Sequence, residues 1–196
     1  MNNFSKTIIL TLWLVAIAMA YYNYSPQIKA LLNGDTSVTR IEISAWDEAM
    51  DLNERGLVIQ KSDSKLAEQL YKQAIEKDST FYYAYNNLGI LYSDDGRSQE
   101  AFDMYEKAIQ IKPDYAKAYN NLGVWYYDSG NHLKAKEMYE KSISITQTDP
   151  NPYGNIAIIL EGDENNTKAA IPFYKKAIEL GSTNATVIKR AKELNL

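Results

Sequence analysis

The residues AYNNLGILYSDDG (84–96) return as AYNNLGVWYYDSG (118–130), thirty-four positions later. A segment written twice at a fixed offset is one packing solution used twice. In the first copy Tyr85, Leu88 and Tyr92 lie three and four residues apart, so they share one helical face. Gly89 is small where a second helix must come close, and Gly96 ends the helix and lets the chain reverse. Downstream, Ala101, Tyr105 and Ala108 mark the face of a second helix, which Pro113 stops.

Set in rows of thirty-four, the pattern extends outward. The row 116–149 repeats it with Tyr119, Leu122, Gly123, Tyr126, Gly130, Ala135, Tyr139 and Ser142. The row 150–184 keeps Tyr153, Ile156, Ala157 and Leu160, then Ala170, Tyr174 and Ala177 after one extra residue in EGDENNT. The row 48–81 is faint. Ala67, Tyr71 and Ala74 fit directly, whereas Leu52, Arg55, Gly56 and Ile59 fit only with one residue missing. Each row is a helix, a tight turn and a helix, and so short a pair must stack on its neighbours to bury its apolar face. Ser44, with Asp47 three residues on, reads as the cap that starts the first helix. Residues 185–196 read as a capping helix started by Ser182 or Thr183. Ala185, Ile188, Ala191 and the Lys192 stem face inward on this reading, and Lys189 and Arg190 face outward.

The spacing Y-x2-L-G-x2-Y … A-x3-Y-x2-A … P resembles the tetratricopeptide repeat (TPR) over about residues 44–184. Two rows match almost every signature position. The row 150–184 departs at Ala157 and Glu164, where glycines are usual, and the first row is degenerate. The resemblance implies an all-α, right-handed α-solenoid of about four repeats. It also implies that the first helix of each pair lines a concave groove where protein partners bind.

In that family the groove columns are two, five, six, nine, twelve and thirteen of each row. Here they hold Tyr83, Asn86, Asn87, Ile90, Ser93 and Asp94 in one row. The next row has Lys117, Asn120, Asn121, Val124, Tyr127 and Asp128, and the last has Asn151, Gly154, Asn155, Ile158, Glu161 and Gly162. Asn87, Asn121 and Asn155 form a column of amides, each both donor and acceptor. Two uses fit it: gripping the backbone of a bound segment, as an asparagine ladder does in some family members, or bonding neighbouring helices. Ile90, Val124 and Ile158 form an apolar column, and Asp94, Asp128 and Glu161 line one rim with negative charge, unless they are an ordinary solvated face. An apolar segment with basic flanks suits such a surface. The TPR subgroup that clamps chaperone C-terminal carboxylates with Lys and Asn is not matched, because Asn86 and Asn120 stand in column five and column nine is aliphatic.

Composition removes other classes. The net charge of −4, without a Lys/Arg cluster, argues against a nucleic-acid binder. The absence of cysteine excludes disulfides, Cys-ligated metals and a thiol nucleophile. His132 is the one histidine and is expected in the turn between two helices, so Ser–His pairs and His-based metal sites lack members. No glycine-rich loop follows a strand, so no phosphate cradle and no cofactor is expected. No small-molecule substrate is evident either.

Residues 1–22 read as a targeting segment. Lys6 precedes a fourteen-residue apolar run (7–20) that spans roughly 21 Å as a helix, short of the ~30 Å hydrocarbon layer. Ala18-Met19-Ala20 offers a signal-peptide cleavage site before Tyr21. Alternatively, Tyr21, Tyr22 and Tyr24 sit at the interface of an uncleaved N-terminal hydrophobic helix. Either way the repeats lie across a membrane, periplasmic, secreted or tethered. Residues 23–43 read as a tether, with a weak strand pattern in TSVTRIEIS. The expectation is a non-enzymatic module that binds a peptide or helical segment in its groove. The alternative is a membrane-anchored assembly subunit of an envelope complex.

Overall fold

The computed structural model describes residues 40–162 and 165–196, with side chains from Ala45 onward. The apolar run 7–20 and most of the 23–43 tether lie outside the described residues. Among the described residues no helix is long and apolar enough to cross a membrane.

Nine helices are described: α1 (Arg40–Ile59), α2 (Ser64–Lys77), α3 (Tyr82–Asp94), α4 (Ser98–Ile111), α5 (Ala116–Asp128), α6 (His132–Ile145), α7 (Pro150–Gly162), α8 (Thr167–Glu179) and α9 (Ala185–Glu193). Each odd helix packs on the even helix after it, each even helix on the odd one following, and α1, α3, α5 and α7 touch in succession. The result is a stack of four helix pairs with α9 on the end.

Packing within a pair is set by a glycine and a tyrosine. A Cβ on Gly89 would lie 2.6 Å from Tyr105 Cε1, and one on Gly123 would lie 2.5 Å from Tyr139 Cε1. In the faint first row Gly56 meets Tyr71 at 2.5 Å, so the same joint survives there one residue short. The turns between helices repeat as well. Gly96 has φ +76° and Gly130 φ +80°, which a side chain would strain. The Arg97 N–H donates to Tyr92 O at 2.8 Å and the Gly96 N–H to Ser93 O at 3.1 Å, a Schellman close. In the fourth pair Asn165 (φ 48°) takes the left-handed place that glycine holds in the second and third.

Between pairs, Leu88, Leu91 and Tyr92 of α3 bury against Ala67 and Tyr71 of α2. Leu122 is 5% exposed in the equivalent place of the next row. The first pair differs. Asp51, Arg55 and Val58 stand in the columns of Ala84, Leu88 and Leu91, and Val58 is 83% exposed. Arg55 and Asp51 form an exposed ion pair at 3.3 Å, so two columns that are apolar in the next row carry charge here.

Both ends correct the sequence reading. The first helix starts at Arg40, not at a Ser44 cap, which moves 40–43 out of the tether. Beyond the added turn, Trp46 is fully buried, its ring 4.8 Å from that of Phe81. At the other end the cap is Asn184, whose Oδ1 accepts from the Thr186 and Val187 N–H groups. That shifts the inward stripe to Val187 and Ala191, leaves Ala185 and Lys192 exposed, and half-buries Ile188. Gly154 lacks the Cβ that would meet Val187 Cγ2 at 2.7 Å, so α9 seats against α7 where a fifth repeat would begin.

Arg190 does not point away. It donates to both Glu161 oxygens at 2.7 Å, and the Tyr174 hydroxyl adds a third bond at 3.1 Å. The Arg190 hydrogen bonds hold the Glu161 carboxyl below its usual range.

Two outcomes test this packing. Gly123→Ala lowers stability in urea by about 1–3 kcal/mol through overpacking, whereas Gly162→Ala, with open space around it, changes it by less than about 0.5 kcal/mol. The pull of Arg190 on Glu161 stabilises the fold above the ordinary glutamate pKa of 4.5 and is lost as pH falls through the lower folded value. Glu161→Gln therefore destabilises α9 at pH 7, and denaturation or amide exchange shows the difference from wild type shrinking as the pH is taken below the ordinary glutamate value and through the lowered folded one.

Candidate functional site

The odd helices place their columns on the concave side. Asn87 Nδ2 donates to Asn53 Oδ1 at 2.9 Å, Asn121 Nδ2 to Asn86 Oδ1 at 2.9 Å, and Asn155 Nδ2 to Asn120 Oδ1 at 3.3 Å. Each column-six amide thus bonds the column-five amide of the helix before it. Asn86 and Asn120 are 3% and 9% exposed, so neither lines an open groove as the column count predicts. They are the acceptors that tie successive helices, because a buried amide oxygen must find a donor.

The column-six residues face the groove half-buried. One N–H of Asn121 and of Asn155 is held by packing, and Oδ1 of each has no partner among the described residues. In the preceding row, Asn87 Oδ1 takes a long 3.4 Å bond from Asn86. The ladder therefore serves packing and still presents fixed acceptors to the groove.

The apolar column is longer than its three sequence rungs. Leu57 precedes Ile90 by thirty-three residues and is 44% exposed, while Val124 is 37% exposed and Ile90 and Ile158 are half-buried. Leu57 and Asn53 are hidden in the sequence by the missing residue of the first row. The Gly56–Tyr71 pair, also fifteen apart instead of sixteen, is the available signal.

Charge divides across the groove. Asp94 and Asp128 are exposed at the helix ends and carry no ion pair among the described residues. Burial, and then these carboxylates, push the Tyr105 and Tyr139 hydroxyls well above the usual tyrosine range. Burial likewise pushes Tyr71 up to about 12, with its hydroxyl on Gln60 Oε1 at 2.9 Å. Glu161, expected on the same rim, is instead engaged by Arg190. Tyr127 stacks on His132 at 4.7 Å, which places the lone histidine on the first turn of α6 and not in a free loop.

At the opposite wall lies a cleft of about 500 Å³. Met50, Leu57, Phe81, Tyr83, Tyr115 and Ile145 form its apolar sides, with Asn53, Glu54 and Lys117 also lining it. Of the residues anticipated for the groove, the structure brings Tyr83 and Lys117 together here. Val124 and Asn121 lie farther along the concave side, and Asn155 and Ile158 farther still.

Four family models match in succession. One described as TPR repeat covers 91–130, and three described as tetratricopeptide repeat cover 70–103, 116–148 and 151–183. A search of curated proteins returns no significant match. Among solved structures, MamA is similar at 28% identity and TM-score 0.59, over 86% of this chain and 98% of that one. Pseudomonas aeruginosa pilF is similar at 22% identity and TM-score 0.64, over 92% and 82% of the two chains. The second TPR of Spaghetti (RPAP3), solved with the HSP90 peptide SRMEEVD, is similar at 19% identity and TM-score 0.50, over 55% and 99%. The repeated glycine–tyrosine joints, the turns between them and the four consecutive family matches make this chain a tetratricopeptide repeat protein.

Proposed function

We infer that this protein is a non-enzymatic interaction module that takes a segment of a protein partner along its concave face. The observation that carries the reading is the column Leu57, Ile90, Val124 and Ile158, left partly open to water beside fixed amides. An apolar stripe rimmed by polar groups is a common mark of a protein-binding surface. The acceptors on Asn121 and Asn155 suit the N–H groups of an extended backbone, which a helical segment would keep for itself. Asp94 and Asp128 favour basic flanks on the partner.

The peptide held by the RPAP3 repeat is acidic. The same charge brought to this rim meets two unpaired carboxylates, so a different ligand class is favoured here. The alternative is assembly into an envelope complex through the convex or terminal faces; the ion pair on α1 and the α9 cap bear on the terminal faces alone. We place the repeats outside the cytoplasm, because Lys6 before the apolar run 7–20 favours translocation of the residues C-terminal to that run.

Random twelve-residue peptides displayed on phage and selected on the full chain test the groove. Val124→Glu, an exposed change with unaltered helical circular dichroism, is expected to weaken the selected peptides at least about tenfold. Binding indifferent to that substitution would move the site to another face.

A further inference from the structure

We propose that the cleft beside α1 is the anchor pocket of the groove, taking one bulky aliphatic or aromatic side chain from the interior of an extended partner segment. Asn53 donates to that residue's backbone carbonyl. The inference rests on the groove reading and adds where the segment is gripped and by what chemistry.

The starting point is Asn53, only 6% exposed yet on the wall of the cleft. Its Oδ1 is committed to Asn87 Nδ2 at 2.9 Å. That bond fixes which way the amide faces, since a flip would set donor against donor. The two Nδ2 hydrogens are left with no acceptor among the described residues. The amide nitrogen is not sealed from the cleft, so it meets water there, and a partner's carbonyl oxygen can take that water's place. The equivalent amides farther along, Asn86 and Asn120, also accept from the next helix, but they do not line this cleft.

The walls define the rest of the ligand. Met50 and Leu57 come from α1, Phe81 and Tyr83 from the start of α3, Tyr115 from the start of α5, and Ile145 from the end of α6. The volume of about 500 Å³ falls in the range of pockets that bury a ligand group, and its apolar sides reward a large apolar side chain. Glu54, Asp114 and Lys117, all exposed, stand on the cleft, and Asp114 is ion-paired with Lys112. Two carboxylates set against two ammonium groups leave no strong field of either sign, so the pocket favours neither a carboxylate nor an ammonium group. A free C-terminus therefore gains nothing here, and an internal residue is the fitting occupant. Its basic neighbours would reach across to Asp94 and Asp128.

The test uses the phage-selected peptides and the full chain, with dissociation constants from fluorescence anisotropy. Asn53→Asp keeps the acceptor for Asn87 and removes the donors. Thr146→Trp, at the half-buried end of α6, plugs the cleft without touching the amide ladder. The expected selection shares one bulky apolar residue at a fixed position and binds equally well with an amidated C-terminus. Asn53→Asp and Thr146→Trp each weaken it about tenfold. Replacing the anchor residue by alanine weakens wild-type binding but adds little in the Thr146→Trp protein. Wild-type affinity in both variants, with Val124→Glu still weakening binding, overturns the anchor pocket and leaves the groove standing. Indifference to all three substitutions overturns the groove reading itself. Loss of binding on amidation overturns the internal anchor in favour of a carboxylate.

Discussion

The structure depends on a ring lying where a side chain is missing. In the first three pairs an even-helix tyrosine crosses an odd-helix glycine at a distance no real Cβ would tolerate. This joint does two things at once. It brings two helices close enough to exclude water from both faces, and it aims the tyrosine hydroxyl toward the edge of the groove. The Tyr71 hydroxyl ends on Gln60, the Tyr174 hydroxyl ends on Glu161, and Tyr105 and Tyr139 lie near Asp94 and Asp128. Packing inside a pair thereby fixes polar groups on the functional surface. In the fourth pair Ala157 replaces glycine, and the turn before Tyr174 is one residue longer. The first pair keeps the glycine joint although its turn is one residue shorter, so a change of turn does not by itself displace the ring from its seat.

A second constraint runs across the pairs. The asparagine bonds tie each odd helix to the next through amides that are buried on one side and half-open on the other. Buried amides must be satisfied, so the spacing and rotation of successive helices are restricted to those that close the bond. Where the ladder ends, the chemistry changes. Gly154 stands in the column of Asn86 and Asn120, and the vacated space admits Val187 of α9. Arg190 then occupies the column that asparagine holds in the earlier rows, and it binds Glu161 instead of an amide.

The fold is legible in the sequence because its determinants are local and repeated. Tyr85, Leu88 and Gly89 act within one pair and its neighbour, so a fixed period exposes them. Less legible are the features that depend on registers breaking the period. Asn53 and Leu57 fall one residue out of step and escape a column count, although they complete the amide and apolar columns. Asn86 and Asn120 sit in family groove columns but are buried, because a column number does not say which neighbour an amide will find. The cap of α9 lies one or two residues beyond the expected Ser182 or Thr183, which is enough to rotate the helix and exchange Ala185 for Val187 on its inner face. Near the start of α1, Trp46 packs on rings distant in sequence, Phe81 and Tyr82, a contact that no local pattern reveals.

These ends give the groove a direction. At α1 it offers apolar walls and the Asn53 amide donor, with Glu54, Lys117 and the Asp114–Lys112 pair nearby. Along α3 and α5 one edge carries the unpaired charges of Asp94 and Asp128. At α7 the acidic edge stops, since Arg190 neutralises Glu161, and α9 adds Lys189 to the surface beyond. A segment laid in the trough meets a different field at each end, so its two chain directions are not equal in energy. For a segment bound as proposed, apolar burial at the first end would supply most of the attraction, because salt does not screen it. The exposed carboxylates act at longer range and are weakened by salt, so they chiefly steer approach and select orientation.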